Sequence, residues 1–173
     1  MQILEAANTC EIITSNTRVA RAFQSSLGIW NELSNGAEMP NWKVDHLMEF
    51  PVDLIPYANV IRRDVESNDY RFLFWGSSRT ELMKFDYTGK QLSELRPGIY
   101  ADIVKREIDQ ALSVHKPVKS SIQVQLENGN VTQVNKIRLP FFDQNDVAAI
   151  VLSLDDVTHF QNRFYLMSHR SKD

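Results

Sequence analysis

The chain has 173 residues, 43% of them hydrophobic and 24% charged, with a formal net charge of -3. That length is enough for one domain with a full core, and the charge argues against a general nucleic-acid binder, which needs a basic stripe against phosphates. Cys10 is the only cysteine, so an internal disulfide is excluded; no CxxC or His-rich cluster points to zinc, and no stretch approaches the ~18 apolar residues of a membrane span.

The opening segment, MQILEAANTCEIITSNTR, lacks a basic start and a long apolar run, so no signal peptide is expected and the expected location is the cytoplasm. Residues 1–14 fit neither the helical nor the strand period. From about Ser15 to Leu33 the pattern is helical: Val19, Phe23, Leu27, Trp30 and Leu33 fall close to one face, and Asn35-Gly36 stops the helix. That face can pack on its own domain or on a second copy of the chain. Residues 37–56 contain Pro40, Pro51 and Pro56 and read as a connector anchored by Trp42, Leu47, Met48 and Phe50, with a short helical turn around Val44–Met48.

Tyr57–Glu66 reads as a strand, Ser67-Asn68-Asp69 as a turn, and Tyr70–Trp75 as the return strand of a hairpin. Tyr70, Phe72 and Phe74 alternate with Arg71, Leu73 and Trp75, so both faces carry large apolar groups. Gly76 ends the strand. Ser78 and Glu81 have the spacing of a capping box for a short helix. Helical material continues to about Leu95, broken near Asp86–Gly89. The next helix runs over roughly Ile99–His115, with Ile99, Ile103, Ile108 and Leu112 on its buried stripe and Val104 and Ala111 beside them. His115 is expected at the helix end, acting on its dipole.

The last third is β. Val118–Leu126 alternates, Asn128-Gly129 is a hairpin turn, and Val131–Phe142 is the next strand, with Pro140 at a bulge or an edge. Asp143–Asp146 is a polar turn, and Val147–Asp155 reads as a central strand. Strands joined by hairpins around a helical block give an α+β fold, a five-stranded antiparallel sheet with the helices gathered on one face.

That order resembles the PAS sensor fold. The local features that carry the resemblance are Trp30, Pro40, the run Pro51-Val-Asp-Leu-Ile-Pro56, RFLFWGSS, DYTGKQLSEL and RLPFFD, and the closing Leu154-Asp-Asp-Val-Thr158, which is similar to the signature at which PAS domains leave their last strand. Together they resemble a group of small stand-alone bacterial PAS-domain proteins, best known from alphaproteobacteria. Leu73 stands where that group carries an arginine, and Lys84–Tyr87 lacks the glycine that often precedes the turn. The resemblance divides the chain into residues 1–56, an N-terminal helical extension and connector; 57–158, a PAS-like core; and 159–173, an outgoing C-terminal helix.

The resemblance implies a ligand cavity between the sheet and the helical insert. The lining candidates are Phe72, Phe74, Leu82, Phe85, Tyr87, Leu92, Tyr100, Ile103, Val104, Ile122 and Ile137, with Leu73 the alternative to Phe72 and Leu152 beside them, and with Tyr87, Tyr100, Arg138 and His115 as polar handles. The alternative is that these side chains simply fill the core. The cofactor is unknown. A photoactive flavin needs a cysteine on the insert, and Cys10 lies far upstream; a haem needs an axial ligand, and His115 is committed to a helix end.

No GxSxG, HExxH or phosphate loop is present, and Glu94 and Glu107 have no evident partner, so no enzyme is expected. Val157, Phe160, Phe164 and Met167 begin an a/d seam. The expected partners are therefore a second copy of the chain, through Phe23, Leu27 and Trp30 or through Phe160, Phe164 and Met167, or a separate signalling protein in trans. Nucleic acid and membrane are not expected as partners. The resulting expectation is a sensory domain that binds a small molecule in its core and signals through such contacts. The rivals are an interaction module with a filled core and a small α+β isomerase-like enzyme, which would need a buried carboxylate of raised pKa.

Overall fold

The computed structural model describes residues 3–96, 98–126 and 131–156. In chain order these form strand β1 (Ile3–Ile12), helix α1 (Arg21–Ser34), 3-10 turns at Val44–Glu49 and Ile55–Tyr57, strands β2 (Asn59–Asp64) and β3 (Asp69–Trp75), helix α2 (Ser77–Met83), a 3-10 turn at Leu92–Glu94, helix α3 (Gly98–Val114), and strands β4 (Val118–Leu126), β5 (Val131–Phe142) and β6 (Ala148–Asp155). Among these residues no helix is long and apolar enough to cross a membrane. The Asn128-Gly129 turn, Pro97, Val157, Thr158 and the outgoing helix over 159–173 lie outside the described residues.

The fold is α+β, with an antiparallel sheet ordered β1-β4-β5-β6-β2-β3. It has six strands rather than five. The segment over 1–14 that showed no clear period supplies β1, which pairs along β4 from Ile3↔Leu126 to Ile12↔Val118. Its place is set by the ladder to β4, which the residues of β1 alone do not announce.

The sheet separates two apolar cores. Beneath α2, α3 and the turn before them lie Ile61, Tyr70, Phe72, Trp75, Tyr87, Leu92, Ile103, Val104, Ile108, Ile122 and Val151. On the other face Phe23, Trp30, Met39, Phe50 and Leu54 pack on Val60, Ile137, Leu139, Phe141, Ile150, Leu152 and Leu154. The helices are therefore not all on one face: the insert covers one side, and α1 with the connector covers the other. Trp30 fixes this packing by donating its Nε1 hydrogen to the Pro140 carbonyl at 2.8 Å. Phe23 and Trp30 spend their apolar surface on the chain's own sheet, Leu27 is half-buried at the rim, and Phe160, Phe164 and Met167 lie outside the described residues.

Several local expectations change. Helix α1 begins at Arg21 rather than Ser15, after a turn in which the Thr17 hydroxyl accepts from the Thr14 amide at 3.0 Å. It ends where expected, at Asn35 with φ 45°. Ser78 does not cap α2: Gly76 is the N-cap, and no side-chain cap bond forms. Met48 does not anchor the connector, being 79% exposed, whereas Phe50 is buried. His115 does end α3, in the left-handed region at φ 54°.

Candidate functional site

The face of the sheet under the insert is not uniformly apolar. Pairing carries one row of side chains straight across it: Arg138 of β5 opposes Ser153 of β6, Ser153 opposes Asn59 of β2, and Asn59 opposes Trp75 of β3. One step along, Ser120 of β4 opposes Lys136 and Lys136 opposes Asp155. Because successive side chains alternate faces, residues two apart stay on the same side. Both rows therefore lie beneath α2 and α3, and all their members are buried.

Helices close the rows from above. Glu107 of α3 accepts from Arg138 at 3.1 Å (Nε) and 2.5 Å (Nη2) through one oxygen, and Arg138 also donates to the Ser153 hydroxyl. Arg79 of α2 meets Asp155 at 2.7 Å. The Lys136 ammonium donates to the Tyr100 hydroxyl at 2.9 Å. Lys136 is 0% exposed and Arg138 and Glu107 1%. Burial lowers the Lys136 pKa below its ordinary value, with Tyr100 and Asp155 acting in the other direction. Some polar atoms in this layer are buried with no hydrogen-bond partner among the described residues: Glu107 Oε1, Asn59 Oδ1, Ser120 Oγ and the Trp75 Nε1 donor. Such groups are rare in a settled core and mark a place for a bound molecule or water.

Beside the rows stands an aromatic cluster. Phe72 and Trp75 meet edge to face at 5.0 Å, Trp75 and Tyr87 lie 5.1 Å apart, and Phe85 and Tyr87 4.8 Å apart. The Arg79 guanidinium lies over the Trp75 ring at 5.1 Å. The Tyr87 hydroxyl accepts from the Arg96 amide at 3.3 Å, closing the segment after α2 over the cluster.

Of the lining candidates, Phe72, Tyr87, Leu92, Tyr100, Ile103, Val104 and Ile122 all stand in the core beneath the insert. Phe85 touches it from outside, 48% exposed. Leu82 lies on α2, and its side chain is outside the described residues. Phe74, Ile137 and Leu152 instead belong to the opposite core. For Phe74 the reason is a bulge: Val60 pairs with Phe74 but Ile61 with Phe72, so Leu73 is an extra residue on β3. Past it the alternation inverts, and Trp75 replaces Phe74 on the insert side. Ile137 adjoins Arg138 on one strand, so the two cannot share a face. Arg138 faces inward as a handle, and His115 does not: its Nδ1 lies 3.2 Å from Glu38 Oε2, at the helix end.

Sequence reasoning misses Arg79, Glu107, Lys136, Asn59, Ser153 and Asp155. Glu107 has a partner after all, Arg138. One signal for it exists: Glu107 sits seven residues after Tyr100, within the stripe of Ile103, Val104, Ile108 and Ala111, so a charge at that spacing must enter the core. Arg138 is expected among the cavity handles, but nothing in the alternation marks Lys136, two residues before it on the same face, as buried too until α3 docks.

No family model matches the chain, and no curated protein matches it significantly. Among solved structures 84 chains match. An RNA-binding light-oxygen-voltage receptor is 10% identical over 96% of this chain, with a TM-score of 0.46; the chain spans only 42% of that receptor. The PAS domain of a protein from Colwellia psychrerythraea is 12% identical over 60% of this chain and 90% of its own, at a TM-score of 0.41. A sensory box sensor histidine kinase from Vibrio cholerae is 23% identical over 57% of this chain and 78% of its own, at 0.43. Likenesses this distant say nothing of ligand, partner or activity. The α+β chain is thus similar to PAS and light-oxygen-voltage domains, and what it does has to be argued from its own residues.

Proposed function

We propose that the chain is a PAS-like sensory domain, which takes a small molecule between the sheet and the helical insert. It passes the occupancy on through contacts with a second copy or with a separate signalling protein. The observation that carries this reading is the buried polar layer. Trp75 Nε1, Asn59 Oδ1 and Glu107 Oε1 are withdrawn from water without a partner among the described residues, beside a cluster of aromatic rings. A pocket for an organic molecule has this composition, mostly apolar with a few placed polar groups. Glu107 is committed to Arg138 and Asp155 to Arg79; neither is placed as a general base, which favours a binding role over an isomerase-like one.

For signalling, the bound and empty arrangements must differ in affinity for the ligand. The Arg79–Asp155 pair supports a route, because it joins the insert to the last residue of β6. Native mass spectrometry and an absorption spectrum of the purified chain test the binding step, and light scattering of the same sample with and without the extracted molecule tests the output. A co-purifying small molecule is expected. A chain that carries none, and is not stabilised by any extract of its host, would end the ligand-binding reading.

The second reading is an interaction module with a filled core. It is favoured by the aromatic contacts, in which Phe72, Trp75 and Tyr87 already lie 5.0–6.0 Å from one another. In that case partner binding is unchanged by any small molecule.

A further inference from the structure

The buried layer holds several charges. Arg79, Lys136 and Arg138 share it with Glu107 and Asp155, and Asp156 is buried next to Asp155 at the end of the sheet. Arg138 is paired with Glu107 and Arg79 with Asp155. Lys136 is the cation left without an ion pair among the described residues: its ammonium contacts Tyr100, through the hydroxyl at 2.9 Å and the ring at 5.0 Å. An ammonium buried in this way is costly unless an opposite charge joins it.

A second observation falls at the same place. Ser120 is the cross-strand neighbour of Lys136, and its hydroxyl is buried with no hydrogen-bond partner among the described residues. A hydroxyl and an ammonium side by side, both pointing under α3, are donors to one acceptor. Ile122 follows Ser120 on the same face, and Val104 follows Tyr100 by one helical turn, so the surroundings of the two donors are apolar.

Resting on the ligand-binding reading above, we propose that the molecule is a small organic acid. Its single carboxylate sits between Lys136 and Ser120, and its apolar body lies against Tyr100, Val104 and Ile122. The carboxylate pairs with the Lys136 ammonium and takes up the Ser120 hydroxyl. A neutral analogue of the same shape leaves the ammonium uncompensated and is rejected, as sites built on buried polar partners reject ligands that lack the matching group. The lowered proton affinity of Lys136 has the same origin, burial that the protein's own charges do not offset.

The test is a titration of the full chain, read by calorimetry and by tryptophan fluorescence, with benzoate, phenylacetate and 3-phenylpropionate, each beside its primary amide. At least one acid is expected to bind about tenfold or more tightly than its amide. Lys136→Met is expected to bring that acid down to the level of the amide. Ser120→Ala, a milder change that should leave the fold intact, is expected to weaken the acid more than the amide. Amides that bind as well as acids would overturn the organic acid and leave the ligand-binding reading standing. Acid binding unchanged in both variants would overturn the assignment to Lys136. Equal stabilisation by sodium chloride would mark a site for any small anion and overturn the organic ligand. If neither acids nor amides bind and the purified chain carries no adduct by native mass spectrometry, the proposal and the reading beneath it fall together.

Discussion

The Arg79 guanidinium meets the Asp155 carboxylate at 2.7 Å, with both side chains almost wholly out of water. The two residues come from different layers, Arg79 from the short helix α2 and Asp155 from the end of β6. Arg79 also donates Nε to the Tyr57 carbonyl at 2.5 Å and covers the Trp75 ring. One side chain therefore ties the first insert helix to the end of the connector, to the polar row, and to the point where the chain leaves the sheet.

Removing that charge should leave a buried carboxylate with its main partner gone. Arg79→Met is expected to cost about 3 kcal/mol or more in urea unfolding, the range for breaking a buried pair. Arg79→Lys is expected to fall between, because a point charge cannot serve Tyr57 and Asp155 with one planar fork. A loss under about 1 kcal/mol, the scale of a surface pair, would show that the contact does not hold the insert.

Two glycines should respond to alanine with opposite signs. A Cβ on Gly76 would lie 2.2 Å from the Pro56 carbonyl oxygen, a backbone atom that cannot step aside. Gly76→Ala is expected to be among the most destabilising single changes in the chain, about 3 kcal/mol or more through overpacking and a shifted strand end. Gly28 lies within α1 and has open space around it. Gly28→Ala is expected to stabilise by about 0.5–1 kcal/mol, from helix propensity and a less flexible unfolded chain. Denaturant midpoints of the two variants beside the parent decide both claims.

The order of strands and helices is legible because it rests on local signals: Asn35-Gly36 after α1, Ser67–Asp69 between β2 and β3, and the long stripe of α3. What escapes depends on distant parts of the chain. β1 is defined by its ladder to β4, more than a hundred residues away, and its sequence carries little of that. Most of the aromatic and aliphatic lining under the insert is legible from period alone, yet the same period puts Phe74 on the wrong face. The period of two holds only until a bulge, and Leu73 is a bulge with no glycine or proline to announce it. The charged half of the site is harder still. Lys136 looks like a solvent-facing residue of an alternating strand until α3 is laid over it.

Lys136 gives a pH signature. Its folded-state pKa lies below the ordinary 10.5, and burial is the main cause. Between the lowered value and 10.5 the unfolded chain holds a proton that the folded chain has released, so stability rises with pH across that window and is least where both states are protonated. Cys10 and Tyr70, whose folded values are raised, act in the opposite direction as their unfolded forms ionise. Comparing the parent with Lys136→Met at each pH cancels those contributions. The parent is expected to gain on the variant across the window below 10.5 that the lowered value opens, with a slope no steeper than the ~1.4 kcal/mol per pH unit of one proton. Parallel curves would show that folding does not change the protonation of Lys136.

Cys10 reports on the same layer from its edge. It is half-buried on β1, opposite Ser120, and its thiol is pushed up to about 11 from the ordinary 9.0, first by burial and then by the negative charge of Glu107. The thiolate is the reactive species, and a pKa of about 11 in place of 9.0 lowers its population roughly a hundredfold near neutral pH. Alkylation by iodoacetamide at about pH 8 is expected to be slower by about that factor in the folded chain than in the chain unfolded in urea. Glu107→Gln removes the second cause and is expected to speed the folded-state reaction, with Arg138 then lowering the thiol pKa against burial alone. That variant also separates charge from access. A rate that rises in Glu107→Gln in proportion to thiolate population, along a pH profile moved downward, reports the lost charge. A rate that rises with an unmoved profile reports a loosened β1 edge instead, and it would mean that Glu107 acts on Cys10 through packing alone.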